Sequence, residues 1–228
     1  MLLIRHGQSH NNAVYAAQGN SRGRLADPPL TELGELQAAE LALAFVQGRY
    51  PVLPTVLHCS LMSRAIQTAA PIGDALDLQL HGHADVFEVG GPLDWSGEQE
   101  HPRLPHSGSG AAVLAALSER LVLPAAARAH GWWDGPLETD SGAAARAARV
   151  VAELRGRHAG TEEVVGLVSH EWFSQFLFRE LLGIPSMTGW VEFANTGVTL
   201  FRGVDDPQLT SVAWTNRTVH LRPEQITT

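Results

Sequence analysis

Leu2-Leu3-Ile4-Arg5-His6-Gly7-Gln8-Ser9-His10-Asn11-Asn12 is the stretch on which the reading of the whole chain turns. Three apolar, strand-forming residues run straight into an arginine, a histidine and a glycine. A polar stretch ending in asparagine follows. A hydrophobic strand that stops in this way places reactive groups at the carboxyl edge of a parallel sheet. Gly7 lets the backbone turn and leaves room for a ligand to come close. Arg5 offers a planar fork of donors matched to phosphate or carboxylate, and His6 a nucleophile or acid–base group near neutral pH. The bland alternative is a short edge strand ending in a solvated basic turn, and only partners from other strand ends decide between the two.

Such partners recur along the chain. Val56-Leu57-His58-Cys59 reads as a second buried strand, which passes through Ser60 into Ser63-Arg64-Ala65-Ile66-Gln67-Thr68-Ala69 and a helix reaching about Leu76. Arg64 in the first turn meets the positive end of the helix dipole, an unfavourable place unless an anion is near. Val86-Phe87-Glu88-Val89-Gly90-Gly91-Pro92 sets a carboxylate between apolar residues where a strand gives way to a loop. Burial or neighbouring carboxylates can equip such a glutamate as a general acid. Glu163-Val164-Val165-Gly166-Leu167-Val168-Ser169-His170 is an apolar strand ending in Ser-His, and the helix after it turns Phe173, Phe176, Leu177 and Leu181 inward.

Between these landmarks lie helices and loops. Residues 18–24 are glycine-rich and basic, without strand or helix periodicity. Thr31 is the expected N-cap of an amphipathic helix to about Gln47, with Glu32 in its first turn. Residues 95–137 read as an insertion over the sheet's carboxyl edge, a lid or wall of a pocket, with a helix from about Ala111 to Leu121. Trp132 and Trp133 within it serve either that wall or cap packing under a loop. A helix capped by Asp140 or Ser141 follows, to about Arg155, with Arg146 and Arg149 structural or solvated. Trp190 to Phe201 reads as strand, Asn195-Thr196-Gly197 turn and strand, and Val212 to Thr215 as the last strand; the tail after Arg222 is expected to fray.

Bulk properties bound the class. A chain of 228 residues with 44% hydrophobic and 18% charged residues is ordinary for one globular α/β unit. The net charge of −8 argues against a nucleic-acid partner, yet leaves room for a local arginine cluster around an anion. One cysteine, Cys59, excludes an intrachain disulfide. No secretory leader pattern precedes Leu2 and no apolar run is long enough to span a bilayer, so the expected setting is cytoplasmic, without a membrane partner.

Taken together, these residues resemble the signature of the histidine phosphatase superfamily, the phosphoglycerate-mutase-like enzymes. They are Arg5-His6-Gly7 with Asn12; Gln18-Gly19; Asp27, Leu30-Thr31, Gly34 and Gln37-Ala38; Ser60 with Arg64-Ala65-x-Gln67-Thr68-Ala69; Glu88; and Ser169-His170. The resemblance covers most of the chain outside about residues 95–137. It implies an α/β fold, a three-layer αβα sandwich with a mostly parallel central sheet, in a single domain over residues 1–228. It implies a phosphohistidine at His6, Glu88 as proton donor, and Arg5, Arg64 and His170 completing the catalytic set. Asn12, Gln18, Gly19, Arg22 and Arg24 are implied as phosphate or substrate contacts; for Arg22 and Arg24 a solvated basic loop is the alternative. The implied partner is a small-molecule phosphomonoester. No metal or cofactor is called for, because arginines and histidine supply the positive charge.

The sequence departs from the family pattern at Cys59 and Leu61, where a serine and a proline are commoner, and after His170. There Glu171-Trp172 stands where glycine is usual, a bulky acidic pair that narrows the site or shifts the helix start. Mutases of the family carry an arginine-rich segment just after the glutamate. Here Val89-Gly90-Gly91-Pro92 follows, with no arginine until Arg103, which favours hydrolysis over phosphoglycerate mutase-type transfer. A metal-dependent hydrolase built on His81-x-His83-x-Asp85 is a weak rival, and no G-x-S-x-G elbow supports a serine hydrolase. A non-catalytic phosphoester-binding module on the same fold is the remaining alternative; it would be expected if the glutamate or a histidine were missing, and all are present.

Overall fold

A computed structural model describes residues 1–94 and 104–228. In chain order its elements are β1 (Leu2–Arg5), α1 (His10–Gln18), α2 (Glu32–Val46), β2 (Val56–Ser60), α3 (Ser63–Leu76) and β3 (Leu80–His83). There follow β4 (Leu93–Asp94), β5 (Leu104–Pro105), α4 (Ala111–Ala115), β6 (Leu121–Val122), α5 (Asp140–His158) and β7 (Val165–Ser169). The chain closes with α6 (Glu171–Leu181), β8 (Val198–Arg202), β9 (Ser211–Arg217) and a 3-10 turn at Pro223–Gln225.

Seven strands form one sheet in the order β6-β3-β2-β7-β1-β8-β9, and β4 pairs with β5 apart from it. The pairs from β6 through to β1 are parallel, while β8 and β9 add an antiparallel edge. Every residue of β1 and β7 is buried, as strands covered on both faces require. Because side chains alternate along a strand, Leu2 and Ile4 join one core with Leu41, Phe45 and Ile66 of α2 and α3. Leu3 joins the other, with Val150, Leu154, Phe173 and Leu177 of α5 and α6. The result is the three-layer αβα sandwich with a mostly parallel central sheet.

Several local expectations need correction. The polar stretch after Gly7, for which the sequence suggests no element, is helical: α1 starts at His10, its N-cap Ser9 sharing a reciprocal capping box with Asn12. Helix α4 stops at Ala115, and Leu121–Val122 forms an edge strand instead. Helix α5 is capped by Thr139, whose side chain accepts from the Gly142 N–H, and not by Asp140 or Ser141. Residues 190–194 form no strand, because side chains take up their backbone groups. Gln175 bonds both the N–H and the carbonyl of Val191, and Asn216 Oδ1 accepts from the Ala194 N–H. The tail beyond Arg222 is tied down: Gln37 Nε2 donates to Gln225 O and Thr227 Oγ1, and Asn195 N to Thr227 O.

Part of the expected insertion, residues 95–103, lies outside the described residues. In the remainder, Trp132 and Trp133 pack around Phe87 at ring separations of 6.0 and 6.1 Å, and both backbone N–H groups donate to Ser107 O. Among the described residues no helix is long and apolar enough to cross a membrane.

Candidate active site

β1, β2 and β7 run parallel and adjacent, so Arg5, Ser60 and Ser169 end on one edge of the sheet. A cavity of about 320 Å³ opens there, with Arg5, His6, Arg64 and Glu88 in its lining. His6 Nδ1 lies 2.7 Å from Gly7 O; since a carbonyl only accepts, Nδ1 carries the proton. Arg64 Nε donates to His6 Nε2 at 3.0 Å, so that nitrogen presents its lone pair. Burial, then Arg64 and Arg5, hold the His6 pKa well below the usual imidazole range, against a smaller opposing effect of the Gly7 bond. The buried ring is neutral.

The neighbouring motif residues hold this geometry. Thr68 Oγ1 accepts from the Gly7 N–H and donates to Arg64 O, so one hydroxyl ties the His6 loop to the helix bearing Arg64. Gln67 Oε1 accepts from the Leu30 N–H, and Gln37 Oε1 from the Gln8 N–H. A Cβ on Gly7 would sit 2.6 Å from Gly34 O, and one on Gly34 2.0 Å from Gln8 O. The room expected at Gly7 for a ligand is thus filled by the start of α2, and the two glycines permit that contact. Across the loop, Asn195 Nδ2 donates to His6 O at 3.0 Å, and the Thr196 N–H reaches Arg5 O and His6 O. Thr196 adopts φ 57°, a left-handed conformation that β-branched residues seldom take, to make these bonds.

His170 is the N-cap residue of α6 and lies behind His6, ring centroids 5.1 Å apart, outside the cavity lining. Its Nε2 meets Ser60 Oγ at 2.8 Å, while its buried Nδ1 has no hydrogen-bond partner among the described residues. Burial, then Arg64 and His6, push its pKa well below the usual range. Glu88 sits in the loop beyond β3 with its carboxylate on the N-terminus of α6. Oε1 accepts from Val89 N and Phe173 N at 2.9 Å each, and Oε2 from Trp172 N at 3.3 Å. Arg5 donates through Nη1 to Phe193 O and pairs through Nη2 with Glu171 at 2.9 Å. Burial works against the charge on Arg5 and Arg64. Glu171 and Glu88 oppose that effect at Arg5, as do Glu88 and Asp27 at Arg64.

The substrate contacts expected on the first helix and its loop divide. Asn12 lines the cavity; its Oδ1 is taken by Ser9 N and Ser9 Oγ, which leaves its NH2 for a ligand. Arg24 also lines the cavity, over the ring of Tyr15. Gln18, Gly19 and Arg22 are exposed and do not line it, because α1 carries them away from the sheet edge. None of residues 104–137 lines it either. His81 and His83 lie on β3; among the described residues no group of three or more His, Cys, Asp or Glu is arranged to hold a metal.

The family model for the histidine phosphatase superfamily (branch 1) matches residues 1–217. The chain belongs to the histidine phosphatase superfamily. Solved structures with the same fold include phosphoserine phosphatase from Entamoeba histolytica bound to phosphoserine, 21% identical over 97% of this chain and 98% of that one, TM-score 0.60. The ecdysone phosphate phosphatase of the silkworm Bombyx mori, in complex with tungstate, is 14% identical over 94% and 92%, TM-score 0.66. Mycobacterial glucosyl-3-phosphoglycerate phosphatase is 20% identical over 95% and 97%, TM-score 0.61. Among curated proteins no relative matches the sequence.

Two supports of the site in this superfamily member are not marked as such in the sequence. In the sequence Asn195 and Thr196 read only as a turn. Arg146, left between structural and solvated, is buried: it chelates Glu138 and donates to Asp85 O and Phe87 O, directly before Glu88. Its signal was present in Glu138 eight residues upstream, but nothing in the spacing singles out that pair. Arg149 is exposed.

Proposed function

We propose that the protein is a metal-independent phosphatase of small phosphomonoesters working through a phosphohistidine at His6. One observation carries this reading: His6 Nε2 is unprotonated, capped by the Arg64 guanidinium and beside a cavity that Glu88 also lines. In the first step Nε2 attacks phosphorus in line, the P–O ester bond breaks, and Glu88 gives its proton to the departing alkoxide. Arg64 and Arg5 offer their donors to the phosphoryl oxygens, where charge is greatest in the transition state; His170 lies behind the phosphorylated ring and Asn12 and Arg24 complete the phosphate contacts. In the second step Glu88 takes a proton from water, water oxygen bonds to phosphorus, and the N–P bond returns its electron pair to Nε2. Inorganic phosphate leaves.

Gln18, Gly19 and Arg22 are not assigned a part, since they do not line the cavity. The absence of arginine from residues 89–94 favours hydrolysis over mutase transfer.

The test is hydrolysis of an aryl phosphate in EDTA by wild type and His6→Ala, with an alkaline detergent quench to trap a base-stable, acid-labile phosphoenzyme. Wild-type turnover that disappears in the variant, together with a trapped phosphohistidine, is expected. Turnover surviving in His6→Ala would sink the mechanism, and phosphate exchange between phosphoglycerates without hydrolysis would favour the mutase.

A further inference from the structure

Beyond the phosphoryl centre the cavity has a wall that the chemistry leaves unused. Trp172 and Trp190 line its mouth, 43% and 53% exposed, with rings edge to face at 6.3 Å. The Trp172 backbone N–H donates to Glu88 Oε2, and the Trp190 indole Nε1 reaches Glu171 Oε1 at 3.5 Å. Leu25, Met62, Val89 and Leu93 continue the apolar lining. Large rings left open to water at a cavity mouth are a surface on which an apolar group gains by stacking.

The charges facing the same space are unusual for a site taking acidic metabolites. With Glu88 carrying the proton that the first step requires, Arg5, Arg24 and Arg64 stand against Glu171 among the described lining residues, which leaves two net positive charges. A single phosphoryl dianion already balances them and leaves none for a second acid group. Glu171 moreover occupies Arg5 Nη2, so a second acid group on the substrate would meet a carboxylate where it needs a cation.

We infer that this wall selects monophosphate esters of neutral aromatic or broadly apolar alcohols and rejects those carrying a carboxylate. Glu171 and the tryptophan pair are the specificity-determining residues. The inference rests on the phosphatase reading above and deepens it.

Three alkyl esters of similar leaving-group basicity separate its parts: 2-phenylethyl phosphate, glycerol 3-phosphate and 3-phosphoglycerate. Wild type should show kcat/KM on the order of 30-fold higher for the phenylethyl than for the glycerol ester, the size expected of one stacked ring. Trp190→Ala should bring that ratio to within about threefold of one, and Trp190→Phe should restore most of it. Glycerol 3-phosphate should exceed 3-phosphoglycerate by about tenfold in wild type, and Glu171→Gln should remove that preference. Equal hydrolysis of all three esters by wild type, or ratios that neither variant moves, would overturn the inference and leave the phosphatase reading standing. No hydrolysis of any of them overturns the phosphatase reading, and the inference with it.

Discussion

Replacing Arg146 by methionine keeps the aliphatic stem's packing and removes only the guanidinium. That group is buried between Phe87 and Phe173, its carbon 3.6 and 3.7 Å from the two ring centroids. Nε and Nη2 chelate Glu138 at 2.8 and 2.6 Å, and Nη1 donates to Asp85 O and Phe87 O at 2.8 and 2.9 Å. The substitution strands a carboxylate whose side chain is only 11% exposed, and deprives two carbonyls of their donor. Breaking a buried pair from one side costs roughly 3–5 kcal/mol, and the carbonyls add about 1 kcal/mol. For a chain of this size each kcal/mol lowers Tm by about 2–4 °C, so a fall of about 10–15 °C is expected. Removing the stranded charge as well, in Arg146→Met/Glu138→Gln, should recover about half of it. Calorimetry or urea unfolding measures the stability. Turnover far below both midpoints should also fall, because the residues released immediately precede Glu88. A single variant within about 2 °C of wild type, or a double variant no better than the single, would refute the reasoning.

Three shorter predictions follow from other parts of the structure. Gly34→Ala should destabilise by about 2 kcal/mol or more and depress kcat, since its Cβ would meet the Gln8 backbone; an unchanged urea midpoint would contradict this. Burial first, then His158 and His81, lowers the His58 pKa to about 3, and burial, then Arg49, lowers that of His220 to about 4. Both are depressed below 6.5, so the unfolded chain takes up their protons first. Stability should therefore fall from about pH 6.5 towards pH 4 by roughly 1.4 kcal/mol per unit for each histidine; His58→Gln should remove one such contribution, and an unaltered slope would count against it. Deleting residues 223–228 frees Gln37 Nε2 and Asn195 of their partners and should lower the unfolding midpoint and activity together; loss of neither in a melting curve and rate assay would argue against the tail's role.

The strand ends were legible because each joins an apolar run to a polar turn, and a parallel sheet brings such ends to one edge. Arg64, Gln67 and Thr68 were legible as a motif, yet their division of labour was not. One reaches His6, one Leu30 and one Gly7 over separations that no spacing encodes. Helix α1 is not legible in the sequence because it buries no residue and so carries no hydrophobic period; Ser9 and Asn12, its capping box, are the available sign. Residues 190–194 have strand-type composition, but Gln175 and Asn216 satisfy their backbone from outside any ladder. The tail's order depends on side-chain amides and a threonine hydroxyl, which no pattern of apolar residues announces.

The position of β1 has a kinetic consequence. Leu2 pairs with Gly166 on one side and Leu200 on the other, so the strand that carries Arg5 and leads to His6 finds its neighbours only across most of the chain. Closing such long loops must precede the contacts that reward them, which places this topology among slow folders. During synthesis Leu2, Leu3 and Ile4 remain an unpaired apolar segment until β7 has emerged. Fragments ending before Val165 lack both partners of β1 and expose a sticky strand, so their fate in a cell is aggregation or capture by chaperones.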